Sequence, residues 1–397
     1  CLSRGLGDVY KRQGIRSFYL GNLGSGLDRY AERPYRPAPV FPTPRFRHDR
    51  ICPKTVCGRT VRFNLYRKEH HSIRQSEPAN DLRLPFIVPA LENPDQNGQN
   101  TTSIIFEIHQ KQMKIAVIIL NYNSSDDCRK CISYLKRQEH IETEPVVVDN
   151  CSRPEEVEKI RLVCREECCT LLENGENRGY NAGNNVGLRY AASKGYRYAL
   201  IANPDMEFPQ TDYLFRLTER AEQDGTIAVV GSDIIGKDGI HQSPMYRDGN
   251  WKNSFGWVSD LFGKKNTDAY KFIDNYRESH PCHKVSGCCF LIRMEFAQSI
   301  GYFDENVFLY CEEAILSRQV EQAGLKMYYL SEAQAVHAHV NSEKGDPVVR
   351  FERWKRSRIY FIERYSGDSR TGKAIARLSI RTYVALFKMF RQIKNKR

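Results

Sequence analysis

The sequence predicts an α/β protein built on a doubly wound, mostly parallel sheet, with a helical extension at its C-terminal end. Three observations carry this. From Met113 onward, short runs rich in β-branched residues alternate with amphipathic stretches of helical length. The runs are apolar throughout, as strands covered by helices on both faces must be. Polar residues collect where the runs stop, which is where an open α/β sheet binds its ligands.

Each element follows from local chemistry. Lys114 to Leu120 reads as a central strand, and Asn121-Tyr-Asn123 with Ser124 to Asp126 supplies a turn and a helix cap. A helix to about Arg137 follows. Pro145 to Asp149 is the second strand, Pro154 to Cys169 a helix, Leu171-Leu172 a short strand, Asn184 to Lys194 a helix and Tyr198 to Ala202 a further strand. Residues 240 to 284 break the rhythm. There Trp251, Phe255, Trp257 and Phe262 suit either a flap over a second substrate or a small satellite core. Lys284 to Ile292 resumes as a strand, Glu312 to Ala323 is a helix closed by Gly324, and the core is expected to end near Ser342.

Composition and charge narrow the function. With 41% hydrophobic and 27% charged residues over 397 positions, the chain can bury a core and lies outside the composition of disordered proteins. The net charge of +12 is unevenly placed: +8 over residues 1–112, −7 over 113–345 and +11 over 346–397. An acidic centre argues against a nucleic-acid enzyme, and basic flanks suit attachment to a surface. No run reaches the roughly 18 apolar residues of a membrane span, so the chain is expected in the cytoplasm. The 13 cysteines fit free thiols. Cys128 and Cys131 lack the second pair that a zinc site needs.

Residues 1–112 show no sustained period of two or 3.6 and read as a disordered or non-native extension. The first methionine is Met113, and Cys1 to Gln13 looks like translated adaptor sequence.

Two segments carry candidate chemistry before any comparison. Glu176-Asn-Arg-Gly-Tyr-Asn-Ala-Gly-Asn-Asn-Val-Gly187 lies between a strand and a helix, where glycine permits close backbone approach and a helix start favours anions. Asn203-Pro-Asp205-Met-Glu207 ends a strand with two carboxylates at i and i+2. Asp205 suits a divalent metal whose shell is completed by substrate phosphate oxygens, with Glu207 assisting.

The ordered set Leu120-Asn-Tyr-Asn123, Val147-Val-Asp149-Asn-Cys-Ser152, Asn177-Arg-Gly-Tyr-Asn-Ala-Gly-Asn-Asn185, Asn203-Pro-Asp205 and Val285-Ser-Gly287 through Phe308-Leu-Tyr-Cys-Glu-Glu313 resembles family 2 glycosyltransferases, particularly their rhamnosyltransferase-like branch. The resemblance spans about 113–345. It implies a GT-A fold, with 113–235 as the nucleotide-sugar half and 236–345 as the acceptor and base half. The implied activity is inverting transfer of a sugar, rhamnose among the candidates, from a nucleotide diphosphate-sugar to a hydroxyl of a cell-surface polysaccharide or lipid-linked glycan precursor.

Within it, Asp149 would contact the base or ribose. Asn121, Tyr122, Asn123, Asn177, Gly179, Tyr180, Asn184 and Asn203 would line the donor, and Asp205 would hold Mg2+ or Mn2+ on the diphosphate. The family usually presents Glu-Asp at the base position, whereas this chain has Glu312-Glu313. Glu313 aligns with the expected base, and Glu312 is the alternative. Val336-His337-Ala-His339 resembles the family's terminal histidine motif, so that His337, or His339, would reach the metal or diphosphate. A hexose or hexosamine transferase, a silent nucleotide-sugar-binding scaffold, or a nucleic-acid binder are the competing functions.

The tail adds a partner. At about 100° per residue, Ile375, Leu378, Leu386, Met389, Phe390 and Ile393 share one face of a helix over 370–394. Arg370, Lys373, Arg377, Arg381, Lys388 and Arg391 fall opposite. Such a basic amphipathic helix is expected to lie on an anionic membrane, which would make the enzyme peripheral at the inner face of the cell membrane.

Overall fold

A computed structural model describes residues 114–248, 251–261, 273–338 and 346–395. Residues 1–112, Phe262, His339 and Ser342, all singled out above, lie outside the described residues.

The first half of the sheet follows the expected alternation. Strand β1 (Lys114–Asn121), helix α1 (Ser125–Leu135), β2 (Glu142–Asp149), α2 (Pro154–Glu166), β3 (Thr170–Glu173), α3 (Tyr180–Ser193) and β4 (Tyr198–Ala202) succeed one another. β1 is flanked in parallel by β2 and β4, and β3 lies beyond β2. The register sets Asn121 beside Asp149 and Asp149 beside Glu173, so the polar residues of three strands end at one level. All strand residues from Ile115 to Leu120 are buried, as their unbroken apolar run requires.

The second half continues through β5 (Met206–Glu207), α4 (Tyr213–Gln223), β6 (Ile227–Gly236), a short 3-10 helix (Trp251–Phe255), α5 (Gly256–Leu261), β7 (His280–Cys282), β8 (Cys289–Arg293), α6 (Met294–Ser299), α7 (Glu312–Gln322) and β9 (Lys326–His337). The sheet order is β3-β2-β1-β4-β8-β6-β9-β5, and β7 pairs with β9. β8 runs antiparallel between β4 and β6, with Cys289 opposite Ala202 at the carboxyl end of β4. The chain before Cys289 already lies at that end, so β8 can only run back. The expected strand from Lys284 is shorter for this reason: residues 284–288 border the site instead. α1, α2 and α4 cover one face of the sheet, and α3, α6 and α7 the other. Together with the parallel strands these two layers make the doubly wound arrangement that the sequence predicts.

α3 starts four residues before the expected helix. Gly179 adopts φ 99° at its N-cap, and Asn177 Oδ1 accepts from Gly179 N at 3.0 Å, which turns the chain into the helix. The ten cysteines among the described residues are all free thiols, and Cys128 and Cys131 are buried in the core.

A third layer follows, α8 (Pro347–Tyr365) and α9 (Arg370–Asn395). Asp346 caps α8, accepting from Val348 N at 3.0 Å. α9 buries Ala376, Ile380, Val384 and Phe387, spaced by three or four residues. Trp251 and Trp257 belong to this layer: Gly372 packs against Trp251, and Trp257 Nε1 donates to Ser379 Oγ at 2.9 Å. These aromatics build a satellite core and are not a flap. The apolar face expected for the membrane is a different one, and Leu378, Met389, Phe390 and Ile393 remain exposed. Among the described residues no helix is long and apolar enough to cross a membrane.

These two faces make a testable contrast. Ile380→Ala, in the packed stripe, should lower stability by about 2 to 4 kcal/mol, whereas Leu378→Ala, 68% exposed, should stay within about 0.5 kcal/mol. Urea unfolding midpoints of the two variants check it; equal losses would reverse the assignment of faces.

Candidate active site

The carboxyl end of the sheet gathers two clusters of polar residues. In the first, Asn121 Nδ2 donates to Asp149 Oδ1 at 2.8 Å, and Ser152 N donates to Asp149 Oδ2 at 3.0 Å. Asn123 N donates to Ser152 Oγ at 2.8 Å, its side-chain oxygen accepts from Arg153 N, and Tyr122 is half-buried in the same turn. Asp149 is buried, and each of its oxygens accepts one of these bonds. Next to it, Asn150 Nδ2 donates to Asn177 Oδ1 and to the Gly179 carbonyl. Asn121, Tyr122, Asn123, Asp149, Asn177 and Gly179 are therefore neighbours, as the motifs imply.

Asn184 stands inside α3, where its Nδ2 donates to the Tyr180 carbonyl at 3.0 Å. Its Oδ1, and both polar atoms of the Asn203 side chain, are buried without a hydrogen-bond partner.

The second cluster joins the ends of β4 and β9. Met206 lies opposite His337, and Ala338 N donates to the Asp205 carbonyl at 2.8 Å. This brings His337 Nε2 to 3.3 Å from Asp205 Oδ1. His337 Nδ1 meets Gln242 Oε1 at 2.9 Å. With Nδ1 donating to that oxygen, a neutral imidazole presents Nε2 to the carboxylate as an acceptor, and an imidazolium donates to it directly. In the neutral form, two acceptors at this distance suit a cation between them. Two adjacent ligands of an octahedral ion with bonds of about 2.1 Å stand about 3 Å apart, so the pair fits a divalent metal. Among the described residues no third His, Cys, Asp or Glu converges on it. A bound substrate's phosphate oxygens would have to complete the shell.

Glu207 is a correction. Its carboxylate pairs with Lys130 Nζ and accepts from Tyr134 OH at 3.3 Å, both on α1. That ion pair takes the charge a metal would need. Gln242, which orients His337, was missed, because it sits in the irregular 240–284 segment where spacing carries no signal.

Glu312 and Glu313 stand at the start of α7, each 5% exposed. Tyr310 and Cys311 hold φ of 78° and 69°, which folds the chain sharply into the helix. Strain of this kind gathers at functional sites. The pair backs onto an apolar cavity lined by Tyr180, Val285, Phe290, Phe303, Leu316 and Met327. Both oxygens of Glu312 and Oε2 of Glu313 are buried without a hydrogen-bond partner. Burial, and then the charge of Glu313, pushes Glu312 up to about 8. Burial raises Glu313 too, while Lys284 works in the opposite direction.

Gly287 and Tyr180 fit this pair closely. A Cβ on Gly287 would lie 2.9 Å from Glu313 Oε1, and Tyr180 OH donates to the Gly287 carbonyl. Burial, reinforced by Glu313, pushes the Tyr180 phenol well up, so it stays a donor.

Behind Glu313, Lys284 Nζ lies 2.7 Å and Arg358 Nη1 3.1 Å from the two oxygens of Asp248. Burial opposes the Asp248 charge, but Lys284 and Arg358 outweigh it and hold the carboxyl below its usual range. Arg358 comes from α8, so the helical extension contributes to the site.

Residues 116–301 match the sequence profile of the family described as Glycosyl transferase family 2. The chain is 27% identical over 274 residues to the low-salt glycan biosynthesis hexosyltransferase Agl10 of Haloferax volcanii, covering 68% of this chain and 80% of that protein. It is 25% identical over 210 residues to the N-acetylglucosaminyl-diphospho-decaprenol L-rhamnosyltransferase of Mycobacterium tuberculosis, covering 50% of this chain and 68% of the relative. Among solved structures, TarS of S. aureus (residues 1–349) aligns with a TM-score of 0.44 at 16% identity, over 68% of this chain and 70% of TarS.

The raised Glu312 makes stability depend on pH. A carboxyl near 8 in the fold, against 4.5 when free, stabilises the fold at low pH, and this contribution is lost as pH rises through about 8. Glu312→Gln should therefore flatten the fall in melting temperature between about pH 5 and 8 and melt above wild type near pH 8.5. An unchanged slope would refute neutral burial of Glu312.

Proposed function

Since residues 116–301 belong to glycosyl transferase family 2, we propose that the chain transfers a sugar, with inversion, from a nucleotide diphosphate-sugar to a hydroxyl of a glycan or lipid-linked glycan precursor. The observation that carries this is the opposition of two unlike sites across residues 285–288. A cation-seeking pair, Asp205 and His337, stands at one side, and a buried carboxylate pair, Glu312 and Glu313, at the other. Gly287 packs against Glu313, and the next residue, Cys288, accepts through its carbonyl from Asn203 N at 2.8 Å, two residues before Asp205.

The roles follow from the chemistry of each group. Asp149, whose oxygens each accept one bond, from Asn121 and Ser152, keeps acceptor capacity on both for a ribose hydroxyl or a base N–H. Asn184 and Asn203 offer their buried amide atoms to the donor. Asp205 and His337 hold the metal, and an imidazole in the donor set favours Mn2+ over Mg2+. When bound, that ion neutralises charge building on the leaving diphosphate.

Glu313 is the base. Glu312, neutral at pH 7, leaves a single negative charge on the pair, and Lys284 draws that charge to Glu313. The acceptor hydroxyl gives its proton to Glu313 while its oxygen bonds to the anomeric carbon and the bond to the diphosphate breaks on the opposite side. A base raised towards the working pH suits this step. Rhamnose is the donor sugar the motifs favour, and a hexose is the alternative. The exposed Leu378, Met389, Phe390 and Ile393, beside the basic side chains of α9, would set the enzyme on an anionic membrane.

Turnover tests the base. Glu313→Gln should lose roughly 100-fold or more in kcat with donor binding unchanged, and Glu312→Gln far less. Near wild-type turnover in Glu313→Gln would end this assignment. Flotation with anionic vesicles tests the membrane face: Leu378→Asp with Met389→Asp should release the protein, and continued flotation would show that this face plays no part.

A further inference from the structure

α8 carries two half-buried arginines, Arg350 and Arg353, that meet no carboxylate among the described residues, and Arg350 Nε is buried without a partner there. The other half-buried cations near them are paired: Lys355 Nζ lies 2.6 Å from Glu352 Oε2, Lys388 Nζ 2.5 Å from Glu352 Oε1, and Arg358 reaches Asp248. A guanidinium removed from water without an anion is costly, and its planar fork matches phosphate oxygens.

Their position is fixed along one stripe of α8. Ser357 Oγ donates to the Leu309 carbonyl at 2.7 Å, and one turn earlier the Arg353 guanidinium lies 4.6 Å from the centre of the Phe308 ring. Arg350 continues the stripe by a further turn. Tyr310, two residues before Glu312, feels both arginines: burial pushes its phenol up to about 12, Glu312 adds to the rise, and Arg350 and Arg353 oppose it. The pair thus borders the Phe308 to Tyr310 loop that leads into Glu312, whereas Asp205 and His337 belong to the ends of β4 and β9.

A second feature lies at the same end of the helix pair. Phe351 stacks on Phe387 with ring centres 4.2 Å apart, and Arg391 lies 3.7 Å from Asp346, so the last turns of α9 run beside the first turns of α8. Those turns expose Met389, Phe390 and Ile393. A cationic pair next to an exposed apolar patch is complementary to an amphiphile with a phosphate head and a hydrocarbon chain.

We infer that Arg350 and Arg353 bind the phosphate group of a lipid-linked acceptor, whose chain runs towards Met389, Phe390 and Ile393. This rests on the glycosyl-transfer reading above and names its acceptor as an anionic lipid-phosphate conjugate. The same chemistry could come from the donor's diphosphate, so the test separates the two.

Binding of geranyl diphosphate to the full chain, followed by tryptophan fluorescence, is the experiment. It should bind without metal, and roughly tenfold or more tighter than either geraniol or inorganic pyrophosphate, because head and chain are both recognised. Arg350→Gln with Arg353→Gln should weaken it at least tenfold, while stabilisation by a nucleoside diphosphate with Mn2+ stays as in wild type. The double lysine variant, which keeps the charge, should fall between, and so guards against loss by misfolding. Unchanged geranyl diphosphate binding in the glutamine variant, or no binding by wild type, would overturn the proposal. Loss of the nucleoside diphosphate effect in that variant would overturn it too, by giving the arginines to the donor. Failure of the glycosyl-transfer reading would look different: no nucleoside diphosphate-sugar would stabilise wild type with any metal, whatever geranyl diphosphate does.

Discussion

One close approach between backbones organises this molecule. A Cβ at Gly179 would lie 2.2 Å from the Phe308 carbonyl oxygen, so only glycine lets that carbonyl come near enough to accept from Tyr180 N at 3.0 Å. The contact clasps the start of α3 to the loop that leads into α7. Asn181 and Asn185 extend it, donating to the Asp304 and Phe303 carbonyls at 2.8 Å each. The asparagine-rich run therefore positions the carboxylates of Glu312 and Glu313. Four residues at the start of α3, Gly179, Tyr180, Asn181 and Asn185, decide where that pair on the other half of the sheet stands.

This explains which parts were legible in the sequence. β1, β2 and β4 announce themselves because strands buried on both faces must be apolar throughout, and the motif residues sit at their ends because the sheet leaves only those ends open. Asp149, Asp205, Glu313 and His337 were singled out on that basis, together with the family resemblance. Glu207 misled, since a spacing of two says which edge a carboxylate is on but not that Lys130, 77 positions away, reaches it first. The antiparallel β8 was hidden because a strand's direction depends on where the preceding loop ends. Gln242 and Asp248 were hidden for the same reason, as neither belongs to a periodic element.

The C-terminal layer shows a related ambiguity. Periodicity marked α9 as amphipathic, yet it carries two apolar stripes, and the sequence cannot say which one the protein covers. Ala376, Ile380, Val384 and Phe387 pack, Phe387 by stacking on Phe351 of α8. Leu378, Met389 and Phe390 stay outside. The choice is made by the neighbours that α8 and the Trp251 segment supply, which lie outside the helix's own periodicity.

Charge placement then links the layers into one device. Within the site, buried carboxylates are either paired, as Asp248 is with Lys284 and Arg358, or pushed towards neutrality, as Glu312 is. Because Arg358 stands on α8, the helix that touches the Phe308 to Tyr310 loop also helps hold Lys284 near Glu313. Removing the extension would expose Asp248 and Lys284 to water and loosen the cation that Asp248 holds beside Glu313, so the C-terminal layer and the carboxylates at the start of α7 are coupled through Arg358, Asp248 and Lys284.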